Sequence, residues 1–123
     1  IPKENKTQAP VGTREMINSV ERMSLLTSEK IQSPIRFTVT EDSIKLSCST
    51  AIGKANDVIK TTVSGEEVEI GFNNRYLLDA LRNADTDIVN LQFNGPLTPM
   101  KIVPVQGDSF LFLVVPMRLN YEN

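Results

Sequence analysis

The side chains that could do chemistry in this chain are few, and they are not grouped as a catalyst requires. The sequence contains no histidine and one cysteine, Cys48. Histidine is the most common general base and a frequent zinc ligand, so its absence excludes Ser-His and Cys-His pairs. The six glycines are scattered, and none forms a phosphate-binding loop between a strand and a helix. The sequence therefore predicts no catalytic residue and no cofactor.

Two groups of acidic residues are the remaining candidates for a metal site. Asp85 and Asp87 follow a predicted helix, and two carboxylates so placed could hold a cation, although a solvated turn is the more common outcome. Glu66, Glu67 and Glu69 cluster beside a predicted hairpin, where strand alternation makes Glu67 and Glu69 a pair that faces solvent. Neither group changes the expectation that the chain binds no metal.

The overall charge limits how this chain could bind nucleic acid. Its 13 basic and 15 acidic residues give a formal net charge of −2. A domain that gripped DNA tightly by itself would usually carry a clear basic excess. A role on DNA would therefore have to be weak, topological or shared with other domains.

Length and hydrophobicity predict a single domain. The chain has 123 residues, of which 40% are hydrophobic, enough for one packed core. No segment is apolar enough to span a membrane, and the polar first residues do not resemble a secretory signal. Cys48 lies in an alternating strand, so we expect a buried thiol and a reducing, intracellular compartment. Residues 1–10, which include Pro2 and Pro10, are expected to form a linker.

In the first half of the chain, the spacing of apolar residues predicts one helix followed by strands. Thr13 can cap a helix that runs to about Thr27. Its apolar stripe consists of Met16, Ile17, Val20 and Met23. Alternation then predicts an antiparallel hairpin with a turn at Glu41-Asp42, and a weaker strand over residues 55–63 before a turn at Ser64-Gly65.

The second half repeats this order of elements. A strand over residues 68–72 leads to a helix that Asn73 can cap and that runs to about Asn83. Its apolar stripe is formed by Leu77, Leu78 and Leu81. Three strands follow, around residues 89–93, 100–102 and 110–115, with Asn94-Gly95 as a hairpin signal.

The repeated order predicts an α+β fold. Each half consists of a strand, a helix and three strands, and the first strand of the first half is the poorly marked segment at residues 10–12. Such a duplicated unit indicates two helices packed on antiparallel sheets, with internal pseudo-symmetry. The pattern by itself does not specify a function.

Two apolar features do not fit burial in such a core. Leu25 and Leu26 leave the stripe of the first helix, which suggests either a frayed helix end or contact with another domain or subunit. The tail from Leu113 to Leu119 stays apolar beyond Pro116, which should end the last strand. An apolar surface that contains a methionine is suited to binding short peptides.

Three segments resemble the third domain of the bacterial DNA polymerase III beta subunit. Residues Glu69 to Leu81, in sequence EIGFNNRYLLDAL, are similar to its strand-to-helix signature, and Val115 to Leu119, VPMRL, are similar to its C-terminal ending. Ile1 to Lys3 resembles the end of the connector between its second and third domains. The resemblance extends over nearly the whole chain.

The resemblance implies a DNA-clamp domain and a non-enzymatic role. Members of this family form a ring-shaped homodimer of three-domain subunits that encircles duplex DNA and acts as a processivity factor. The implied organisation is a linker at residues 1–10, the clamp domain at 11–119 and an extension at 120–123. The implied setting is the bacterial cytoplasm, at the nucleoid, with no membrane contact.

The resemblance also implies three sets of site residues. Short linear motifs of the replicative polymerase, the clamp loader and repair proteins would bind a pocket whose third-domain side uses Ile31, Asn73, Tyr76, Leu97, Pro99, Leu113, Val114, Val115, Pro116, Met117, Arg118 and Leu119. Sequence-independent contacts to duplex DNA would come from Arg75 and Arg82. The contact with a second subunit would involve Leu25, Leu26, Lys54 and Asp57.

An alternative is a generic oligomerisation or peptide-binding domain that has no role on DNA. The two possibilities differ in whether further domains precede Ile1, and in whether the tail binds linear motifs. A small-molecule enzyme is disfavoured because the sequence lacks histidine and a phosphate-binding loop.

Overall fold

A computed structural model describes residues 5–119, so the start of the predicted linker and the predicted extension at 120–123 lie outside the described residues. The chain forms, in order, β1 (Thr7–Gly12), α1 (Thr13–Ser24), β2 (Ile35–Thr40), β3 (Ser43–Thr50), β4 (Gly53–Lys60), β5 (Ser64–Gly65), β6 (Val68–Phe72), α2 (Asn74–Asn83), β7 (Ile88–Phe93), β8 (Met100–Pro104), β9 (Phe112–Val114) and β10 (Pro116–Met117). The predicted α+β class and the duplicated order of elements are confirmed.

The strands form two antiparallel sheets, and each repeat contributes to both. The order is β5-β1-β7-β8-β9 in one sheet, here called sheet A, and β10-β6-β2-β3-β4 in the other, sheet B. The three consecutive strands of each repeat therefore pair with the first strand of the other repeat: β7 with β1, and β2 with β6. The two repeats are interlocked by this exchange of their first strands.

Two short strands complete the symmetry. After its three consecutive strands, each repeat returns to pair with its own first strand. Thus β5 pairs with β1 at Thr7 and Gln8, and β10 pairs with β6 at Phe72 and Gly71. Strands β4 and β9 are the equivalent outer edges of sheets B and A.

One hydrophobic core joins both sheets and both helices. The predicted apolar stripes are buried, with Met16, Ile17, Val20 and Met23 on α1 and Leu77, Leu78 and Leu81 on α2. The helices pack against each other, and Phe37 and Phe72, from different repeats, meet edge to face with ring centroids 5.1 Å apart. Cys48 is buried on β3 as expected, and its burial raises the pKa of the thiol.

Strand β1 begins inside the segment that the sequence analysis assigns to a linker. Thr7, Ala9 and Val11 are buried and alternate with half-buried Gln8 and exposed Pro10, so residues 7–10 belong to sheet A. Proline disfavours a central strand because it has no N–H to donate, and this obscured the alternation. Because β5 covers only the start of β1, Pro10 lies where the strand is an open edge.

The predicted start of the first helix is corrected by one position. Gly12 is the N-cap of α1, and it offers no side chain for a capping hydrogen bond. Thr13 is the first helical residue, and its hydroxyl donates to the Thr86 carbonyl at 2.8 Å. The helix ends at Ser24, three residues before the predicted Thr27.

The predicted Asn73 cap of the second helix is confirmed. Its side-chain oxygen accepts hydrogen bonds from the backbone N–H groups of Arg75 at 2.8 Å and Tyr76 at 3.2 Å.

The loops of the second repeat are longer than the sequence indicates. Strands β7 and β8 form the predicted hairpin, but residues 94–99 connect them in place of a tight Asn94-Gly95 turn. Gly95 has a φ of 91°, a conformation that glycine adopts without strain. The apolar run after the last turn forms only the short strand β9 and then crosses to sheet B as β10.

In the described part of the chain, neither helix has the length and apolar character that a membrane span requires.

Candidate partner-binding site

An open groove of about 630 Å³ lies between α2 and the tail that contains β9. It is lined by Tyr76, Asp79, Ala80, Asn83, Leu111, Phe112, Leu113 and Val115. Tyr76, Leu113 and Val115 belong to the predicted peptide site, so the structure brings these three together. Their exposed fractions are 53%, 60% and 54%, which leaves a large apolar area open to solvent.

The amphipathic character of α2 and the edge position of β9 create this groove. Burial of Leu77, Leu78 and Leu81 leaves Tyr76, Ala80 and Asn83 on a neighbouring flank of the helix, where their spacing aligns them in one stripe. On β9, Val114 is buried in the core and Phe112 packs partly against it. Strand alternation therefore turns the neighbouring side chains of the tail outward.

The equivalent position in the first repeat is closed by polar contacts. Gly12 and Asn73 are the N-caps of the two helices, so Ser19 and Arg22 of α1 correspond to Ala80 and Asn83 of α2. The strand registers make Asp57 of β4 equivalent to Phe112 of β9. Polar residues thus seal the seam between α1 and β4, whereas the seam between α2 and β9 has Ala80 and Phe112 in place of Ser19 and Asp57 and is open.

Asp57 is the centre of the closed seam. Its carboxylate accepts hydrogen bonds from the Ser19 hydroxyl at 2.7 Å and the Arg22 Nε at 3.1 Å, and it also forms an ion pair with Arg22. The hydrogen bonds from Arg22 and then Ser19 lower the pKa of Asp57. Since the folded-state pKa is the lower one, this stabilisation is present above the ordinary value of about 3.9 and is lost as the pH falls through the folded-state value.

Two predicted peptide contacts in the tail, Val114 and Leu119, do not line the groove. Val114 is 2% exposed, so its side chain belongs to the core and cannot form part of an apolar slot, contrary to expectation. Leu119 lies over β6, where a Cβ added at Gly71 would be 2.6 Å from the Leu119 Cδ2. Leu119 lines a different cavity, beside Arg36 and Cys48 on sheet B.

A second, smaller cavity of about 210 Å³ contains two more of the predicted residues. Asn73 and Met117 line it, with Arg75 and residues from the loop after α1. Because the Asn73 side-chain oxygen is occupied by the helix cap, only its amide N–H₂ group is available to a partner. This cavity can offer a methionine side chain and a hydrogen-bond donor.

The other predicted peptide contacts line neither of these two cavities. Ile31 is half-buried in the loop after α1, where its backbone closes a turn with Ser28. Leu97 is 81% exposed and Pro99 is half-buried, and both lie in the loop between β7 and β8. Pro116 is in β10, and Arg118 is exposed. Their roles as peptide contacts stay predictions.

Five residues that line the groove were missed by the sequence analysis: Asp79, Ala80, Asn83, Leu111 and Phe112. The spacing of Tyr76, Ala80 and Asn83 at i, i+4 and i+7 would have indicated one exposed stripe. No comparable signal identified Leu111, because it belongs to a continuous apolar run whose strand boundaries the alternation does not define.

The predicted subunit-contact residues have different surroundings. Leu25 is 79% exposed, whereas Leu26 is half-buried against the core, with its side chain beside Gly53. Lys54 is exposed on the edge strand β4. Asp57 faces α1 within the same domain, so its carboxylate is already engaged.

The two predicted DNA contacts also differ. Arg82 forms an ion pair with Glu21 of α1, with 2.8 Å between the Arg82 Nη2 and the Glu21 Oε2. Arg75 is exposed at the start of α2, and no carboxylate among residues 5–119 lies within ion-pair distance of it. Of these two arginines, Arg75 is therefore the one without an ion pair among the described residues.

Comparison with known proteins identifies consistent relatives. Residues 1–118 match the family model described as "DNA polymerase III beta subunit, C-terminal domain". The chain is 31% identical over 121 residues to a beta sliding clamp of Halalkalibacterium halodurans and 30% identical over 121 residues to one of Bacillus subtilis. In each case the match covers 96% of this chain and 32% of the relative, so the chain spans about a third of the length of these curated relatives.

Solved structures agree with this match. The DNA polymerase sliding clamp from Bacillus subtilis superimposes with a TM-score of 0.91 at 29% identity, covering 98% of this chain and 32% of that one. A DNA polymerase III beta subunit from Eubacterium rectale superimposes with a TM-score of 0.88 at 30% identity, covering 94% of this chain and 31% of that one. The two-sheet architecture described above is therefore the architecture of about one third of each of these chains.

Proposed function

Because this chain belongs to the DNA polymerase III beta subunit family and matches its C-terminal domain, we propose that it is one domain of a sliding clamp. The clamp would be a non-catalytic processivity factor, a homodimeric ring that encircles duplex DNA without sequence preference. The replicative polymerase, the clamp loader and repair proteins would bind it through short linear motifs. The observation that carries the proposal is the open apolar groove between α2 and β9.

The groove has the properties of a site for a linear motif. Tyr76, Leu113 and Val115 offer exposed apolar surface for a Leu or Phe anchor. The side chains of Asn73 and Met117, in the smaller cavity, would contact the part of the motif beyond the anchor. A preceding domain would supply the opposite wall, as the family resemblance implies.

Replacing Tyr76 with alanine should weaken motif binding by about one to two decades. Burying a Leu or Phe anchor contributes roughly 1.5–3 kcal/mol, and loss of the tyrosine ring removes much of the surface that buries it. The measurement is fluorescence polarisation with a labelled, otherwise polar peptide that carries one Leu or Phe anchor. The full-length subunit is used because it contains both walls of the pocket.

Glu67→Ala is the matched control, since Glu67 is exposed and lies outside the groove. It should leave the affinity for the peptide unchanged. Equal affinities for the Tyr76→Ala variant and the unmodified subunit would place the motif site elsewhere, even if the subunit still formed a ring.

We further propose that the edge strand β4 and the end of α1 contact a second subunit. The open edge of sheet B has unpaired backbone groups on β4, and Leu25, which is 79% exposed, follows directly on α1, the helix that packs against β4. Exposed Lys54 would add a charge that selects the partner. Asp57 contributes indirectly, because its contacts with Ser19 and Arg22 hold α1 against β4.

Leu25→Ala in a full-length subunit should weaken dimerisation by about tenfold or more at each contact, since it removes a leucine that is exposed only in the monomer. Sedimentation equilibrium over a range of concentrations measures the shift toward monomer. Val105→Ala, which truncates a side chain that is 55% exposed at the end of β8, is the control. An undiminished dimer together with a lower melting temperature would assign Leu25 to intramolecular packing.

A further inference from the structure

The ion pair between Glu21 and Arg82 joins the two helices at their exposed face. Glu21 lies nine positions after the N-cap of α1, and Arg82 lies nine positions after the N-cap of α2. The pair therefore connects equivalent positions of the two repeats, which places it at the approximate two-fold axis that relates them. The first repeat thus has an acidic residue, Glu21, at the position where the second repeat has a basic residue, Arg82.

The exposed charges around this pair are nearly balanced. The outward-facing arginines of the two helices are Arg14, Arg22, Arg75 and Arg82, and the outward-facing acids are Glu15, Glu21 and Asp79. Asp57 forms an ion pair with Arg22, and Glu21 forms one with Arg82. Among residues 5–119, Arg14 and Arg75 are the helical arginines without an ion pair.

Those two arginines have different electrostatic surroundings. Arg14 lines a cavity together with Arg82, Glu15, Asp85 and Asp87, so carboxylates outnumber arginines there and reduce the positive potential. Arg75 lines the equivalent cavity on the other side of the axis, where Glu29 is the only carboxylate. Exposed Asp79 lies one helical turn after Arg75 and also reduces the positive potential there, but fewer carboxylates surround Arg75 than Arg14.

We propose that Glu21 sets how strongly this face holds duplex DNA, by keeping Arg82 from the phosphates. The inference rests on the proposed clamp function, in which the helices face the duplex. With Arg82 held by Glu21, the face makes one phosphate contact, through Arg75. Release of Arg82 adds a second contact, and every added phosphate contact makes the binding tighter and more dependent on salt. A protein that slides along DNA needs only a few such contacts, because each additional one binds it more tightly to the phosphates.

The Glu21→Gln variant tests this inference, because glutamine keeps the size of the side chain and removes the charge that holds Arg82. The present chain is titrated with a short duplex of mixed sequence while the Nε–H NMR signal of each arginine is followed. In the unmodified chain we expect the Arg75 signal to shift on addition of DNA and the Arg82 signal to stay in place. In Glu21→Gln the Arg82 signal should shift as well. The affinity at low salt should rise about tenfold, and the slope of log K against log salt should steepen by about 0.9.

Two controls separate release of Arg82 from a simple change in net charge. Glu67→Gln changes the net charge by the same amount in the exposed connection between β5 and β6 and should leave the slope unchanged. Adding Arg82→Gln to the Glu21→Gln variant should restore the original slope. A gain of equal size in Glu67→Gln would overturn the inference.

The outcomes for the inference and for the proposed function can be told apart. If Arg75 responds to DNA but Arg82 stays silent in Glu21→Gln, the clamp proposal stands and the role of Glu21 is refuted. If the Nε–H signal of no arginine on either helix shifts on addition of DNA in any variant, the helices do not face the duplex. Both the inference and the clamp proposal are then refuted.

Discussion

A Gly71→Val variant should release the C-terminal tail from sheet B and weaken peptide binding by about one to two decades. The tail crosses β6 at Gly71, where even an added Cβ would lie 2.6 Å from the Leu119 side chain and 3.0 Å from the Met117 carbonyl oxygen. Valine adds two further methyl groups, so the β10 pairing at Met117 and Gly71 would have to break. Val115 and Met117 would then lose their fixed positions beside α2, and the anchor would lose roughly 1.5–3 kcal/mol of burial.

Hydrogen exchange at residues 116–119 and peptide affinity in the full-length subunit measure the two consequences. We expect faster exchange in the tail, while the core strands keep their protection. Thr38→Val places a valine at another outward-facing position of sheet B, on β2, and should affect neither measurement. A tail that remains protected in Gly71→Val would show that β10 does not depend on the close approach at Gly71.

Phe37→Ala should reduce the free energy of unfolding by about 3–5 kcal/mol, the usual cost of a fully buried phenylalanine. Phe37 and Phe72 are each 0% exposed, and their edge-to-face contact connects β2 of the first repeat with β6 of the second. Because the repeats exchange strands, the loss should lower the stability of the whole domain in a single transition. Urea unfolding, followed by circular dichroism, measures it.

Phe110→Ala is the matched control, because Phe110 is only half-buried, where it stacks on Phe112 with 5.3 Å between ring centroids. It should cost distinctly less than Phe37→Ala. Two separate unfolding transitions in Phe37→Ala, with the second repeat retaining its stability, would contradict the interlocked arrangement.

The regular elements were predictable from the sequence because each depends on local spacing. The stripe of α1, the alternation from Ile35 to Cys48 and the side-chain cap at Asn73 are all properties of neighbouring residues. The order of elements was sufficient to indicate a duplicated α+β domain. It did not indicate which repeat supplies the first strand of each sheet, since pairing between distant strands leaves no local signal.

The errors occurred where long-range contacts decide the structure. Sheet pairing with β7 draws residues 7–10 into a strand in spite of Pro10. The tail leaves the groove because β6 offers a glycine at the crossing point, so Leu119 is separated from Tyr76. In the candidate site, Tyr76, Leu113 and Val115 were identified through the family resemblance, whereas Asp79, Ala80 and Asn83 required the helix orientation.

The exchange of first strands between the repeats also has a consequence for how the domain is made. Strand β1 is synthesised before the other strands of the domain. Its residues Thr7 and Gly12, however, pair with Phe93 and Ile88, which are synthesised much later. Strand β2 likewise cannot form its pairing with β6, in the middle of sheet B, until β6 has been synthesised. Contacts between residues so far apart in sequence form slowly, because a long loop must close before any pairing energy is gained. We therefore expect this domain to stay unfolded through most of its synthesis and to fold in one step after β9 has emerged.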